Sequence, residues 1–351
     1  MQTSIHAKGD LDFDPSALHG FLSQTFGSGE ADMEIERISG GQSNPTYFVT
    51  HGPRRMVLRK QPNGPLLKGA HAIDREYRVL RALKGTDVPV PEVLLYHADP
   101  GLVGTPFYLM ERVEGRIFTD CALPELAVEE RREIYMGLAD AMARMHSVRP
   151  EDIGLADYGR PGNYFARQLA RWSKQWQAAE SAPIPELDKL GAWLAENLPE
   201  DGPATIAHGD FRLGNMIYHP EKPEVVAILD WELSTLGDPL ADLGFCVMPW
   251  NTAPEEYGGT LGKDLAALGL PDEEDFVARY MAGRAGSAPL APFHKAFALY
   301  RFAVIFVGIA ERVRTGNAAG TNASDLAPLA RSFAVRGWNI ARTGHPTGDL
   351  T

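Results

Sequence analysis

The sequence predicts an α+β protein of two lobes, a small β-rich one followed by a larger, mainly helical one. Three observations carry that expectation. Short runs rich in β-branched and aromatic residues crowd the first third of the chain. An apolar, strand-like run from Phe107 to Arg112 ends at Val113-Glu114-Gly115. Beyond that glycine, segments with apolar residues at helical spacing dominate. The boundary is therefore placed near Gly115, with lobes of residues 1–115 and 116–351.

The elements follow in order. Thr46 to Thr50 and Arg55 to Arg59 are two short β-rich runs split by the turn signal His51-Gly52-Pro53, which predicts an antiparallel hairpin. Ala72 to Lys84 spaces Ile73, Tyr77, Leu80 and Leu83 as a helix does, and Val93 to His97 and Phe107 to Arg112 read as strands. After Gly115, Arg131 to Ser147 and Leu187 to Leu198 read as amphipathic core helices. Lys295 to Arg314 predicts a longer helix, apolar nearly all round from Phe302 to Ala310 and so expected in the core of the larger lobe.

Bulk properties bound the function. The 351 residues are 44% hydrophobic and 23% charged, values of an ordinary globular protein. A net charge of −12 argues against nucleic-acid and anionic-membrane partners, because the far field repels phosphate polymers. Cys121 and Cys246 are the only cysteines, too few for a disulfide framework or a zinc knuckle, and they fit a reducing compartment. The N-terminal stretch lacks an apolar signal core, and Phe302 to Ala310 falls short of the roughly 20 residues a membrane span needs. The expected location is cytoplasmic, with the oligomeric state left open.

The chemistry-bearing stretch is "HGDFRLGN", His208 to Asn215. Downstream, the apolar run Val225 to Leu229 delivers Asp230 at its end. Transfer of a phosphoryl group from ATP needs one carboxylate to orient the acceptor hydroxyl and take its proton, and further oxygen ligands to hold Mg²⁺ against the phosphates. Asp210 suits the first task, and Asn215 and Asp230 suit the second. The interval from Asp210 to Asn215 matches the D-x-x-x-x-N step of the protein-kinase catalytic loop, and a strand-borne aspartate follows it as in those enzymes.

Taken with "ILDWE" and "GDPLADLGF", this loop resembles the aminoglycoside phosphotransferase and choline kinase-like family. "SGGQSNPTYFV", "VLRKQP" and "FYLMERVEG" look most like the kinase-like domain joined in some proteins to long-chain acyl-CoA dehydrogenases. The likeness runs in order from about Ile35 to Gly316 and implies a protein-kinase-like bilobal fold. It also implies that Asp210 is the catalytic base or an acid that orients the acceptor, that Asn215 and Asp230 are Mg²⁺ ligands, and that His208 braces the loop. In "SGGQSN", Gly40 and Gly41 would let the backbone approach phosphate oxygens while Ser43 and Asn44 add donors. The family's strand-borne lysine is replaced here: alternation along Val57 and Arg59 puts Arg59, not Lys60, on the expected face, with Glu76 as its helix partner. Met110 would wall the adenine pocket, and Glu111 and Val113 would offer main-chain contacts. Asp238 and Asp242 read as helix-capping acids rather than as parts of the site, and Glu232 as an acid able to reach the metal through water.

The resulting expectation is an ATP- and Mg²⁺-dependent kinase acting on a hydroxyl of a small molecule. The resemblance favours a metabolite such as a hydroxyacyl-CoA, with an antibiotic acceptor such as an aminoglycoside as the alternative. Acceptor contacts are expected from the variable segments Asp157 to Tyr164 and Pro249 to Tyr257. Two rival classes are a nucleotide-binding pseudokinase and a metal-dependent hydrolase built on His208, Asp210 and Asp230; the second lacks the clustered ligands of a dinuclear site.

Overall fold

The computed structural model describes residues 4–27, 31–38, 44–64, 71–180, 182–284, 286–314 and 327–347. The chain divides into two compact units, Met1–Gly115 with Val226–Glu232, and Arg116–Val225 with Leu233–Thr351. The sequence reading assigned everything after residue 115 to the second lobe. The short Val226–Glu232 segment departs from it because Ile228 N–H donates to Pro89 O and Asp230 pairs with Arg59, both partners in the first unit.

The first unit is a six-stranded sheet with two helices. Its elements are β1 (Ile5–Lys8), α1 (Pro15–Phe26), β2 (Met33–Arg37), β3 (Thr46–His51), β4 (Arg54–Lys60), α2 (Ile73–Leu83), β5 (Val93–His97) and β6 (Phe107–Glu111). The strand order is β1-β2-β3-β4-β6-β5, parallel only at β1–β2. The predicted hairpin is β3–β4, in register Phe48 to Val57 and Thr46 to Arg59, and it turns at Gly52 with φ +56°.

Strand alternation sorts the side chains of this sheet onto two faces. Tyr47 and Val49 of β3, Met56 and Leu58 of β4 and Phe107 and Leu109 of β6 form one apolar core with Leu18 and Leu22 of α1. Lys60 shares the Met56 and Leu58 face; it is fully buried and its ammonium lies 2.8 Å from Asp12. Arg59, one residue earlier, faces the other way, as does its cross-strand neighbour Tyr108.

The second unit contains α3 (Val128–Ser147), α4 (Tyr164–Gln177), α5 (Pro185–Glu196), β7 (Thr205–Ala207), β8 (Met216–Tyr218), the start of β9 (Val225–Ile228), β10 (Thr235–Gly237) and α6 (Pro239–Cys246). It ends with α7 (Met248–Asn251), α8 (Leu265–Leu268), α9 (Glu273–Gly283), α10 (Pro292–Arg314) and α11 (Ala327–Thr343). Its core joins α4, α5, α6, α10 and α11 through Phe165, Leu187, Leu190, Phe245, Phe297, Phe302, Phe306 and Phe333. The apolar stretch of α10 is buried at Phe302–Val304, Phe306 and Val307 and partly buried at Ile305 and from Gly308 onward. Leu198, read as the last core position of its helix, lies beyond α5 and is exposed. Pro249 to Tyr257, one of the two expected acceptor segments, begins inside α7. No helix among the described residues is long and apolar enough to cross a membrane.

Candidate active site

In the first unit the site is built around one guanidinium. Arg59 Nε lies 2.8 Å from Glu76 Oε2, and its Nη2 lies 2.7 Å from Asp230 Oδ1 and 3.8 Å from Glu232. Alternation along β4 delivers Arg59 to this face, and a place on the inward side of α2 delivers Glu76, which is 1% exposed. Asp230 is held at φ +64°, a conformation unusual for a non-glycine residue and a form of local strain concentrated at functional sites.

Glu76 is buttressed from three sides. Asn44 Nδ2 donates to its Oε1 at 2.8 Å, the Tyr108 hydroxyl donates to Oε2 at 3.0 Å, and Arg59 completes the shell. Burial pushes the Glu76 carboxyl above its ordinary range; Arg59 opposes this, and the negative charges of Asp230 and Glu232 reinforce it. Arg59 is itself held well above its ordinary value: burial works against its charge, and Glu76, Tyr108, Asp230 and Glu232 outweigh that effect. Three carboxylates therefore share one cation. One oxygen each from Glu76, Asp230 and Glu232 lies within 4.8 Å of the others. The surplus of negative charge and the all-oxygen donor set fit a hard divalent cation.

Of the expected nucleotide contacts, Gly40, Gly41 and Ser43 lie outside the described residues. Asn44 is 2% exposed and its amide is engaged by Glu76 and by His71, so it holds the brace in place of the expected phosphate contact. Met110 is buried between Val57 and Val93 in the sheet. The Glu111 N–H donates to Glu92 O at 2.9 Å and is therefore taken up within the first unit. Val113 lies two residues beyond the end of β6.

In the second unit, His208 to Asn215 forms a loop held from beneath. Asn215 Nδ2 donates to Asp210 Oδ2 at 2.7 Å and to Asp210 O at 2.8 Å, which fixes both the carboxylate and the turn that carries it. Arg212 Nε lies 3.4 Å from the same Oδ2. His208 is fully buried and its Nδ1 accepts from Asp210 N–H at 3.2 Å, the bracing role expected of it. Gly209 sits at φ +83°, and a Cβ there would meet Leu233 O at 2.9 Å, so both conformation and space call for glycine.

The sequence reading missed the residue beneath this loop. Asp238 does cap α6, accepting from Leu240 N–H at 2.8 Å. Asp242 does not cap: its carboxylate accepts from His208 N–H at 2.6 Å and Gly209 N–H at 2.8 Å, and its Oδ2 lies 3.2 Å from His146 Nε2. The far nitrogen of His146 lies 2.9 Å from the Tyr280 hydroxyl. Burial alone would raise the Asp242 carboxyl, but His146 and the Gly209 N–H hold it below its ordinary value; burial pushes His146 down, so a neutral imidazole meets an ionised carboxylate. The acid four residues after the cap was the available signal, since α6 is apolar on every side and leaves Asp242 no route to solvent.

The expected acceptor segment Asp157 to Tyr164 is packed rather than open in its first part. Tyr158 is buried with its hydroxyl 2.7 Å from Ser234, and a Cβ on Gly159 would meet Leu236 N at 2.6 Å. In the other segment, Tyr257 is 51% exposed, with its ring against Phe302 and Phe306.

A family model described as "Phosphotransferase enzyme family" matches residues 34–280. Mouse acyl-CoA dehydrogenase family member 10 is 40% identical over 331 residues; that match covers 93% of this chain but only 31% of the mouse protein, so the chain spans about a third of that relative's length. A crystal structure of a Ralstonia eutropha protein assigned to the aminoglycoside phosphotransferases superposes with a TM-score of 0.85 at 41% identity, covering 94% of this chain and 98% of that one. A thermostable aminoglycoside phosphotransferase variant, solved in a ternary complex with AMP-PNP and hygromycin B, shares the fold at a TM-score of 0.60 and 17% identity, covering 94% and 99%. A loop that fixes an aspartate through an asparagine five residues on is what such an enzyme requires, and the chain belongs to the phosphotransferase enzyme family.

Proposed function

We propose that the protein transfers the γ-phosphoryl group of ATP to a hydroxyl of a small molecule. The observation that carries this reading is the state of Asp210. Its Oδ2 is occupied by Asn215 and Arg212, whereas Oδ1 has no protein partner among the described residues. An acceptor hydroxyl placed on Oδ1 would be oriented for attack on the γ-phosphorus. The new O–P bond forms as the bond from the γ-phosphorus to the β,γ-bridging oxygen breaks, ADP departs with those electrons, and the hydroxyl proton passes to Asp210. Asn215 and Asp230 are the proposed Mg²⁺ ligands, with Glu232 beside Asp230. Mg²⁺, when bound, would neutralise charge on the triphosphate. Arg59, fixed by Glu76, would face the phosphates as the family's lysine does, and the Glu111 carbonyl and Val113 would face adenine. Gly40, Gly41 and Ser43 are proposed to cover the phosphates.

ATP is chosen on the family and on the AMP-PNP held by the fold relative. A hydroxyacyl-CoA or related metabolite is favoured as acceptor because the 40% identical relative bears an acyl-CoA dehydrogenase name. An aminoglycoside is the second reading, favoured by the assignment of the 41% identical structure. The site fits a cytoplasmic enzyme, where ATP is abundant.

The test is a panel of hydroxyacyl-CoAs, free hydroxy acids and aminoglycosides with Mg·ATP, with the phosphorylated product identified by mass spectrometry. Asp210→Asn should lower kcat by roughly 10²- to 10⁴-fold, the range of a lost general base, while Mg·ATP binding measured by calorimetry stays near wild type. Turnover by Asp210→Asn at the wild-type rate would remove Asp210 from its role.

A further inference from the structure

Among the described residues of the second unit, Arg301 is a partly buried cation with no carboxylate partner. Arg301 stands in the middle of α10, and between Pro292 and Ala310 that helix has no aspartate or glutamate. Its guanidinium carbon lies 5.7 Å from the ring centre of Trp172 on α4 and 5.6 Å from that of Phe245 on α6. Arg301 is partly buried, and its Nε is sealed from water without a hydrogen-bond partner among the described residues. Trp172 is 9% exposed, and its indole Nε1 is a second buried donor with no acceptor among the described residues. α4 also lacks acids and contributes Arg167, Arg171 and Lys174; the Arg171 guanidinium carbon lies 5.1 Å from the ring centre of Trp172.

A buried donor left unmade costs about 1–3 kcal/mol, and more when it is charged. An arginine cannot escape by losing its proton. Two such donors, walled by aromatic rings and with Arg171 over the same indole, in a chain of net charge −12, are costly to the empty fold and suited to a bound anion. Phe245 follows Asp242 by three residues on α6, and Tyr164, which opens α4, is pushed up to about 12, first by burial and then by Asp242, with Arg301 opposing.

We propose that Arg301 and Trp172 form an anion subsite that takes a phosphate group of the acceptor. The cations of α4 favour a phosphate-bearing acceptor over a carboxylate-bearing one. This assignment rests on the kinase reading above for the identity of the ligand as acceptor, and the test separates the two. Coenzyme A, inorganic phosphate and 3-hydroxybutanoate are titrated by calorimetry into the full chain with the nucleotide site filled by saturating Mg·ADP. Wild type should bind coenzyme A and phosphate and not the hydroxy acid. Arg301→Met should weaken coenzyme A binding at least tenfold, leave Mg·ADP affinity unchanged, and melt at the same temperature as wild type or higher, because an unanswered cation has been removed. Trp172→Phe, which removes the indole donor and keeps an aromatic wall, should weaken coenzyme A binding several-fold and serves if Arg301→Met fails to fold. Coenzyme A binding unchanged in either variant would overturn the proposal, as would wild type preferring 3-hydroxybutanoate. Failure of wild type to bind Mg·ADP would instead strike at the kinase reading.

Discussion

Arg59 spreads one guanidinium over Glu76, Asp230 and Glu232, with contacts at 2.8, 2.7 and 3.8 Å. A planar fork can hold two carboxylates in fixed directions; a lysine ammonium in the same place is a point charge on a flexible stem. Arg59→Lys should therefore fold and keep its charge but let Asp230 drift. The expected result in steady-state kinetics is a rise of about tenfold in KM for Mg·ATP, equivalent to roughly 1.4 kcal/mol, with a smaller change in kcat. An unchanged KM would mean that the fork is not used. The arginine could be singled out from sequence because β-strand side chains alternate, so Val57 and Arg59 had to share a face and Lys60 had to leave it. What Lys60 does there was not legible. Its partner Asp12 is 48 residues away, before α1, and no local pattern joins the two.

At the scale of elements, the loop from His208 to Asn215 is shaped by α6 as much as by its own residues. Asp242 collects two consecutive N–H groups from the loop and is completed by His146 of α3 and Tyr280 of α9. Gly209 is the point at which the loop bends into that grip. Gly209→Ala must adopt a positive φ and also press a methyl group against Leu233 O, so the loop has to shift. We expect kcat to fall by about 100-fold, consistent with small displacements of reacting groups, with a lower melting temperature. Near-normal kcat in this variant would show that the Asp242 grip does not set catalytic geometry. The loop motif and the cap at Asp238 were readable because each is a short pattern with one local meaning. Asp242 carried a signal in its apolar helix but not its partners, because an acid in the first turn of a helix usually meets the helix N-terminus and water, and only the packing of α3 and α9 gives it different company.

Over the whole molecule, buried histidines contribute to the response to acid. His294 on α10 is buried, and burial pushes it down to about 4 from an ordinary 6.5. Its folded-state value is the depressed one, so the unfolded chain takes up a proton below 6.5 while the folded chain does not. Stability is thus complete above 6.5, falls as the pH drops from 6.5 to about 4, and loses nothing further from this group below that, a total of about 3 kcal/mol. His146 is displaced in the same direction and should add to the loss. Urea melts of wild type and His294→Gln between pH 7 and pH 4 check this: the variant should lose visibly less stability over that window, and parallel curves would refute the assignment. The α+β arrangement was visible in the order of strand and helix patterns, and the junction at Gly115 in the change from one to the other. The return of Val226–Glu232 to the first unit was not, since contiguity in sequence says nothing about which unit a strand end will join. That return links inheritance to chemistry. A chimera joining the first 115 residues of one family member to the remainder of another would draw Arg59 and Asp230 from different parents. Crossovers tolerated at this junction should be those whose parents match at both positions, and the two residues are expected to change together as the family diverges.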